Sequence, residues 1–293
     1  MSELKHDRIA LPTGVALDVW TGGDPAHPAM IFLHGFPESH RTWRHQLPEF
    51  ARDHFVIAPD QRGFARSDKP AEISAYAPDK VVADLIALAG HFGLDRFTLV
   101  GHDWGGAASW MAALKRPDRV SQLIILNAPH PLIFQRTLIH DPAQRAASQY
   151  IRAFRNPSLE AHIEGIGLDA FFDTSFARHA DLARLAPEKA AYLDEWSQPG
   201  AITAMLNWYR ASALEVPATD EQCDGPAFLH APFPPVTQRT LVIWGVRDAA
   251  LLPVQLDGLD ALVPDLTLVR VDAGHFIPWE APDEVNRAIR DWL

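Results

Sequence analysis

The chain has 293 residues, of which 47% are hydrophobic and 22% charged, a balance typical of one large globular domain or of a domain with an insertion. Its formal net charge of −11 argues against nucleic-acid and anionic-membrane partners, because both would repel it. The single cysteine, Cys223, excludes an internal disulfide and a thiolate metal site. We see no signal peptide and no apolar run of about 18 residues, and therefore expect a cytoplasmic protein.

Strands and helices alternate through the first 130 residues. Runs rich in β-branched residues predict strands at 15–21, 29–35, 54–60, 96–103 and 120–128. Segments with helical periodicity predict helices at 42–51, 78–93 and 104–117. Because continuously apolar strands are separated by helices, we predict an α/β fold with a mostly parallel central sheet flanked by helices.

The pattern changes after Pro129. From residue 131 to about 231 no convincing strand is present, and stretches such as 142–154 and 201–214 have amphipathic helical spacing. The α/β alternation then resumes, with strands predicted at 240–245 and 266–271 and a helix at 281–293.

These changes predict a core that is interrupted once. We assign residues 1–130 and 232–293 to an α/β core, and residues 131–231 to a helical cap inserted into it. Ligands of open α/β sheets bind beyond the carboxyl ends of the strands. A helical insertion that leaves the sheet at this edge would form a lid over the site.

An aspartate stands where the predicted strand 96–103 meets the predicted helix 104–117. The motif G-H-D-W-G at residues 101–105 has the form of the nucleophile elbow G-x-S-x-G, with Asp103 in place of the serine. The glycines keep side chains out of a tight turn, and the helix N-terminus stabilises negative charge. The competing interpretation is that Asp103 only caps the helix, which is common for aspartate.

Two further residues favour the catalytic interpretation. A nucleophile needs a base, and the base needs an orienting group, in the chain order nucleophile, acid, histidine. Asp248 follows the predicted strand 240–245, and His275 follows the predicted strand 266–271. Each could be an ordinary loop residue, but together with Asp103 they occupy one edge of the sheet in the expected order.

The same edge should supply an oxyanion hole made of two backbone N–H groups. We predict the N–H of Trp104, which follows the nucleophile, and that of Phe36, in the loop after strand 29–35. Pro37 would fix this loop, either through a trans or through a cis bond. The side chains of Phe36, Trp104 and His102 are predicted to surround the substrate pocket, with His102 supporting the nucleophile rather than reacting.

An aspartate nucleophile predicts a particular chemistry. A carboxylate is poorly suited to acyl transfer, because it would form an anhydride, but it can displace a leaving group from saturated carbon. The resulting alkyl ester would be hydrolysed by water that His275 and Asp248 activate. Asp103 thus indicates a hydrolase of epoxides or of carbon–halogen bonds, and no metal or cofactor is required.

Four motifs in order resemble one known family. The segments HGFPES, DQRGFARSDKP, GHDWGG and AGHF are similar to those of α/β-hydrolases in the epoxide hydrolase and haloalkane dehalogenase branch, over nearly the whole chain. One departure is Ala65, where this family often carries glycine. The resemblance implies the α/β-hydrolase fold with an inserted helical cap.

The resemblance also suggests how the two chemistries differ. Epoxide hydrolases use two cap tyrosines to hold and protonate the epoxide oxygen. LNWYRAS resembles the segment around the second of these, which maps to Tyr209, and SQYIRAFRNP resembles that around the first, which maps to Tyr150. The alternative is that both tyrosines only pack the cap. The third tyrosine of this region is Tyr192.

The dehalogenase alternatives have fewer matching residues. Haloalkane dehalogenases often carry asparagine where Phe36 stands, and fluoroacetate dehalogenases carry arginines at the positions of Trp104 and Ala107. Some dehalogenases place the acid after the strand before the cap, where this chain has Asn127, so the role stays with Asp248. Ser109 lacks an elbow, which disfavours a serine esterase.

We therefore expect an epoxide hydrolase whose partner is a small apolar epoxide. A dehalogenase, or a non-catalytic relative that only binds a small ligand, remains the alternative. The sequence leaves open whether the chain forms a homodimer.

Overall fold

The computed structural model describes residues 4–176 and 181–293. Its centre is an eight-stranded sheet of order β1-β2-β4-β3-β5-β6-β7-β8. The strands are β1 (Lys5–Ala10), β2 (Ala16–Gly22), β3 (Ala29–Leu33), β4 (Phe55–Pro59), β5 (Phe97–His102), β6 (Val120–Leu126), β7 (Arg239–Gly245) and β8 (Leu266–Val271). The pairs β1–β2 and β2–β4 are antiparallel and the other pairs are parallel. The mostly parallel sheet predicted from the sequence is confirmed.

Strand β1 was not predicted. Five of its six residues are exposed or nearly so, and only Ile9 is buried, so it carries little apolar periodicity. Its place at the edge of the sheet comes from antiparallel pairing with β2. The helix predicted at 42–51 is also wrong in detail. It is a 3-10 turn (His40–Trp43) followed by the short helix α1 (Leu47–Phe50). Pro48 lies in the first turn of α1, where a helix tolerates proline.

Helices cover both faces of the sheet. Those contributed by the core sequence are α1, α2 (Pro78–His91), α3 (Trp104–Lys115), α11 (Ile277–Glu280) and α12 (Pro282–Trp292). Strand β3 shows why two layers are needed, since its side chains alternate between two hydrophobic clusters. Ile31 and Leu33 belong to one cluster, whereas Met30 and Phe32 belong to the other.

Between β6 and β7 the described residues form helices and no strand. These helices are α4 (Pro131–His140), α5 (Pro142–Ala147), α6 (Gln149–Arg155), α7 (Leu159–Ile166), α8 (Leu168–Phe176), α9 (Leu182–Trp196) and α10 (Ala201–Ala211). Phe172, Tyr192 and Trp208 from this region lie in the same hydrophobic cluster as Ile31 of the sheet. The helical region therefore packs directly on the core. Within residues 4–176 and 181–293, no helix is long and apolar enough to cross a membrane.

The parallel registers bring one end of each strand to a common edge. Leu33 pairs with Gly101, His102 with Leu126, and Gly245 with Val271. The loops that follow β3, β5, β6, β7 and β8 consequently lie side by side. Every predicted residue of the core part of the site belongs to, or immediately follows, these strand ends.

Candidate active site

The turn from β5 to α3 is a strained elbow. Asp103 has φ 51° and ψ −122°, a backbone conformation that non-glycine residues rarely adopt. Gly105 shows why the turn needs small neighbours. A Cβ atom there would lie 2.1 Å from the carbonyl oxygen of Leu33 on β3. Such strain is typical of functional sites, and it presents the Asp103 side chain above the sheet edge.

Asp103 is held by the loop after β3. The Phe36 N–H donates to Asp103 Oδ1 at 2.7 Å, and the Phe36–Pro37 peptide bond is cis. The loop can approach this closely because residue 35 is glycine; a Cβ there would lie 2.3 Å from the Asp103 side chain. The N–H of Trp104 is at the first turn of α3, where backbone donors have no intrahelical acceptor. Both predicted oxyanion residues thus flank Asp103.

His275 lies between the two predicted carboxylates. Its Nδ1–H donates to Asp248 Oδ2 at 2.7 Å, and its Nε2 is 3.7 Å from Asp103 Oδ2. All three side chains are almost fully buried. The structure brings together the nucleophile, base and acid candidates, although Asp248 is 145 residues from Asp103 in the sequence.

Asp248 is itself fixed by four hydrogen bonds. Its Oδ1 accepts from the N–H groups of Ala250 and Leu251 at 2.8 and 2.9 Å. Its Oδ2 accepts from Asn127 Nδ2 at 2.7 Å as well as from His275. Asn127, which follows β6, is held in turn because its Oδ1 accepts from the Gly245 N–H at 2.7 Å. The acid therefore presents one fixed oxygen to the histidine ring.

Asn127 is a site residue that the sequence reasoning set aside. It was considered only as a position where an acid could stand, and no positive role was predicted for its amide. Its φ of 39° lies in the left-handed region, which asparagine tolerates better than most residues. That preference at a strand end is the signal that could have indicated a structural role.

The charges of the triad stabilise one another. Burial alone would raise the pKa of Asp103, but the hydrogen bond and charge of His275 outweigh it and lower the pKa. Burial alone would lower the pKa of His275, but Asp248 and Asp103 hold it well above its usual value. The pKa of Asp248 is lowered against burial, chiefly by the charge of His275. Asp103 is therefore an ionised carboxylate, as a nucleophile must be.

A cavity of about 440 Å³ opens in front of Asp103, a size typical of small-molecule sites. Its polar lining includes Asp103, His275, Tyr150 and Tyr209. Its apolar lining includes Phe36, Phe154, Leu159, Ile163, Ile166, Phe171, Ala250 and Phe276. One wall belongs to the strand ends and the other to α6, α7, α8 and α10, so the cavity lies between the core and the helical region.

The two predicted tyrosines face this cavity together. Tyr150 on α6 and Tyr209 on α10 have ring centroids 6.1 Å apart, and Phe154 contacts both rings edge-on. Burial raises the pKa of each hydroxyl well above its ordinary value, and the charge of Asp103 raises it further. Both hydroxyls are therefore protonated donors. Tyr192 lies elsewhere, since its hydroxyl donates to Glu38 Oε1 at 2.9 Å.

Two residues predicted for the pocket do not line it. His102 is fully buried behind the triad, where its Nε2–H donates to the His275 carbonyl oxygen at 2.8 Å. Burial lowers the pKa of His102 to about 4, so its ring is neutral. Trp104 is not among the residues that line the cavity; its ring contacts Tyr209 and Trp208, and its side chain hydrogen-bonds that of Tyr209.

The departure from the family pattern at residue 65 concerns the backbone conformation. Ala65, which stands where the resemblance leads us to expect glycine, has φ 43°. This left-handed conformation is the one that glycine adopts most easily. Across residues 4–176 and 181–293, no cluster of three histidine, cysteine or acidic side chains could hold a metal ion.

Comparisons with known proteins agree on one family. A family model of the α/β-hydrolase fold matches residues 28–282. Epoxide hydrolase 3 of Xenopus tropicalis is 32% identical over 292 residues, which cover 96% of this chain and 75% of that protein. The AB hydrolase superfamily protein YfhM of Bacillus subtilis is 34% identical, covering 96% of this chain and 95% of that protein.

Solved structures show the same similarity. A structure of a novel epoxide hydrolase from hot-environment metagenomes has a TM-score of 0.93 and 47% identity, covering 99% of this chain and 98% of that one. The epoxide hydrolase of Bacillus megaterium, solved with an inhibitor, has a TM-score of 0.83 and 29% identity, covering 98% and 99% of the two chains.

Proposed function

This chain belongs to the α/β-hydrolase family, in its epoxide hydrolase branch, and on that basis we propose that it hydrolyses epoxides to vicinal diols through an ester on Asp103. The observation that carries the proposal is a single cavity that holds an aspartate at the elbow and two protonated tyrosines opposite it. An aspartate nucleophile suits attack on saturated carbon. The tyrosines supply the proton that an epoxide oxygen needs when its ring opens.

In the first step, Asp103 attacks a ring carbon. Oδ1 already accepts the Phe36 N–H and becomes the ester carbonyl oxygen, so Oδ2 forms the new bond. The carbon–oxygen bond of the ring breaks, its electron pair stays on oxygen, and Tyr209 or Tyr150 donates the proton. The tyrosinate is reprotonated from His275 through solvent. His275 is then neutral when the second step needs a base.

In the second step, water attacks the ester carbonyl carbon. His275 Nε2 takes the proton from the water, and Asp248 stabilises the imidazolium that forms. The N–H groups of Phe36 and Trp104 stabilise the oxyanion. The carbon–oxygen bond of the ester breaks and the leaving oxygen takes the remaining proton of the attacking water. The diol departs, and Asp103 and His275 return to their charged resting forms. Water and epoxide are consumed and only the diol is produced.

The cavity also supports the class of substrate and the role of the insertion. Apolar and aromatic side chains form most of its wall, which suits small apolar epoxides with aryl or alkyl substituents. We propose that residues 131–231 act as the cap, because α6 and α10 close the cavity over the strand ends. We propose further that the enzyme needs no metal or cofactor and works in the cytoplasm.

Intact mass spectrometry of His275→Gln tests the function. This variant retains the nucleophile but lacks the base, so it should accumulate the ester when offered styrene oxide, a bromoalkane and fluoroacetate. An adduct equal to the whole mass of styrene oxide supports epoxide opening. An adduct equal to a substrate minus the acid HX would instead make the protein a dehalogenase. The double variant Asp103→Asn, His275→Gln is the matched control and should acquire no mass.

A further inference from the structure

The loop that carries His275 has its own anchor. His275 lies between β8 and α11, and Asp248 orients only its ring. The position of Nε2 also depends on the main chain of residues 274–276. Glu280, at the end of α11, is the side chain that holds this main chain. It was not a predicted site residue, and it is not among the residues that line the cavity.

Glu280 uses both carboxylate oxygens. Its Oε2 accepts from the Gly274 N–H at 2.9 Å, and its Oε1 accepts from the Phe276 N–H at 2.8 Å. The two donors are the peptide groups of the residues on either side of His275. Burial raises the pKa of Glu280, and the two N–H groups oppose this shift because they stabilise its ionised form. One side chain therefore holds the histidine's main chain on both sides.

Other contacts fix the same loop from its opposite side. His102 Nε2–H donates to the carbonyl oxygen of His275 at 2.8 Å, and the Arg247 N–H donates to that of Ala273 at 2.9 Å. With Glu280, these bonds pair both polar groups of the peptide units 273–274 and 275–276. The loop is consequently held by α11, by the end of β5 and by the loop that carries Asp248.

We propose that Glu280 is a positioning residue for the hydrolytic step. By holding residues 274 and 276 it keeps His275 Nε2 where it can deprotonate the water that attacks the ester. Glu280 touches neither the nucleophile nor the cavity, so the alkylation of Asp103 does not depend on it in the same way. This proposal rests on the proposed function and assigns a further residue to its second step.

The carboxylate geometry explains which substitutions should matter. Glutamine has one acceptor oxygen, and its NH₂ group would face a backbone N–H, so Glu280→Gln loses one of the two bonds. Aspartate keeps the charge but is one methylene shorter, so Glu280→Asp cannot reach both N–H groups. A structural contribution that depends only on charge would be preserved in Glu280→Asp and lost in Glu280→Gln.

The test separates the two chemical steps by rapid mixing with styrene oxide. Intact mass spectrometry follows ester formation, and diol release follows its hydrolysis. In Glu280→Gln and Glu280→Asp we expect ester formation within about 2-fold of the wild type. Ester hydrolysis should fall by roughly 10- to 100-fold, because a displacement of about 1 Å at a catalytic group has an effect of this size. The ester should therefore accumulate during turnover.

Glu284→Gln is the matched control, because it removes an exposed carboxylate one turn further along, on α12. It should leave both rates unchanged. If both steps slow equally in the Glu280 variants, or neither slows, the positioning role is wrong. These outcomes are distinct from failure of the proposed function, in which the wild type itself would form neither ester nor diol from any epoxide.

Discussion

The two walls of the cavity hold their functional groups by different means. On the core wall, Asp103, Asp248 and His275 stand at strand ends. Backbone N–H groups donate to both carboxylates, and the His102 ring donates to the main-chain oxygen of His275. On the helical wall, Tyr150 and Tyr209 are placed by the packing of aromatic rings. Buried charges depend most on fixed hydrogen-bond partners, because an unpaired buried charge costs far more free energy than an unpaired neutral hydroxyl.

Hydrogen bonds also connect the helices of the helical wall to one another and to the core. The guanidinium of Arg155, at the end of α6, donates to the carbonyl oxygens of Tyr209, Ser212 and Leu214 at 2.9 to 3.1 Å. Trp208 Nε1 donates to the carbonyl oxygen of Arg62 on the core at 3.0 Å. Arg155 thus couples the helices that carry the two tyrosines, and Trp208 secures one of them to the sheet domain.

We expect the largest effect on epoxide turnover from a substitution on the core wall. Asp103→Asn removes the nucleophile while keeping its size, and asparagine tolerates the positive φ of this position. We expect epoxide turnover to fall by roughly 10⁴-fold or more, as for other nucleophiles that form covalent intermediates. Steady-state diol formation measures this. Turnover within 10-fold of the wild type would exclude the covalent mechanism.

The helical wall should show an intermediate effect. Tyr209→Phe removes one proton donor, and we expect turnover of styrene oxide to fall by about 10²-fold. Tyr76→Phe is the control, because the Tyr76 hydroxyl donates to the carbonyl oxygen of Pro70 and lies outside the cavity lining. If both variants behaved alike, Tyr209 would only be a packing residue and the contrast between the walls would disappear.

The smallest expected effect is a change in the pKa of His275, which depends on the charge of Asp103 on the same wall. Asp103 raises the pKa of His275, so Asp103→Asn should lower that pKa, because the negative charge 3.7 Å from Nε2 is lost. An NMR titration of the His275 imidazole in both proteins measures the change. The same fall should accompany ester formation, since the ester is neutral. An unchanged pKa would mean that Asp248 alone sets the charge of His275.

The raised pKa of His275 also determines the direction in which the free energy of unfolding changes with pH. Because the pKa of His275 is raised in the folded protein, protonated His275 stabilises the fold most at pH below the value of an unfolded histidine, about 6.5. The contribution is lost as pH rises through the raised pKa. Asp103→Asn should therefore weaken this pH dependence of the free energy of unfolding, which denaturant titration at several pH values can follow.

Several site residues could be predicted because each belongs to a recognisable local sequence pattern. The glycines around Asp103 indicate a tight turn, and the apolar runs before Asp248 and His275 indicate strands that end there. Parallel strands share one edge, so these positions must approach each other whatever the details of packing. The pattern could not show that the Trp104 side chain hydrogen-bonds Tyr209 or that His102 lies behind the triad, because side-chain direction at an elbow depends on what packs there.

The parallel sheet, the aspartate at the elbow, and the order of nucleophile, acid and histidine can all be predicted without coordinates. Each follows from periodicity or turn chemistry over a few residues. Three features required the three-dimensional structure: Asn127 holds Asp248, His102 holds the main chain of His275, and Tyr150 and Tyr209 share one cavity. These contacts join residues far apart in the chain, and their distances are set by how layers pack rather than by any local pattern.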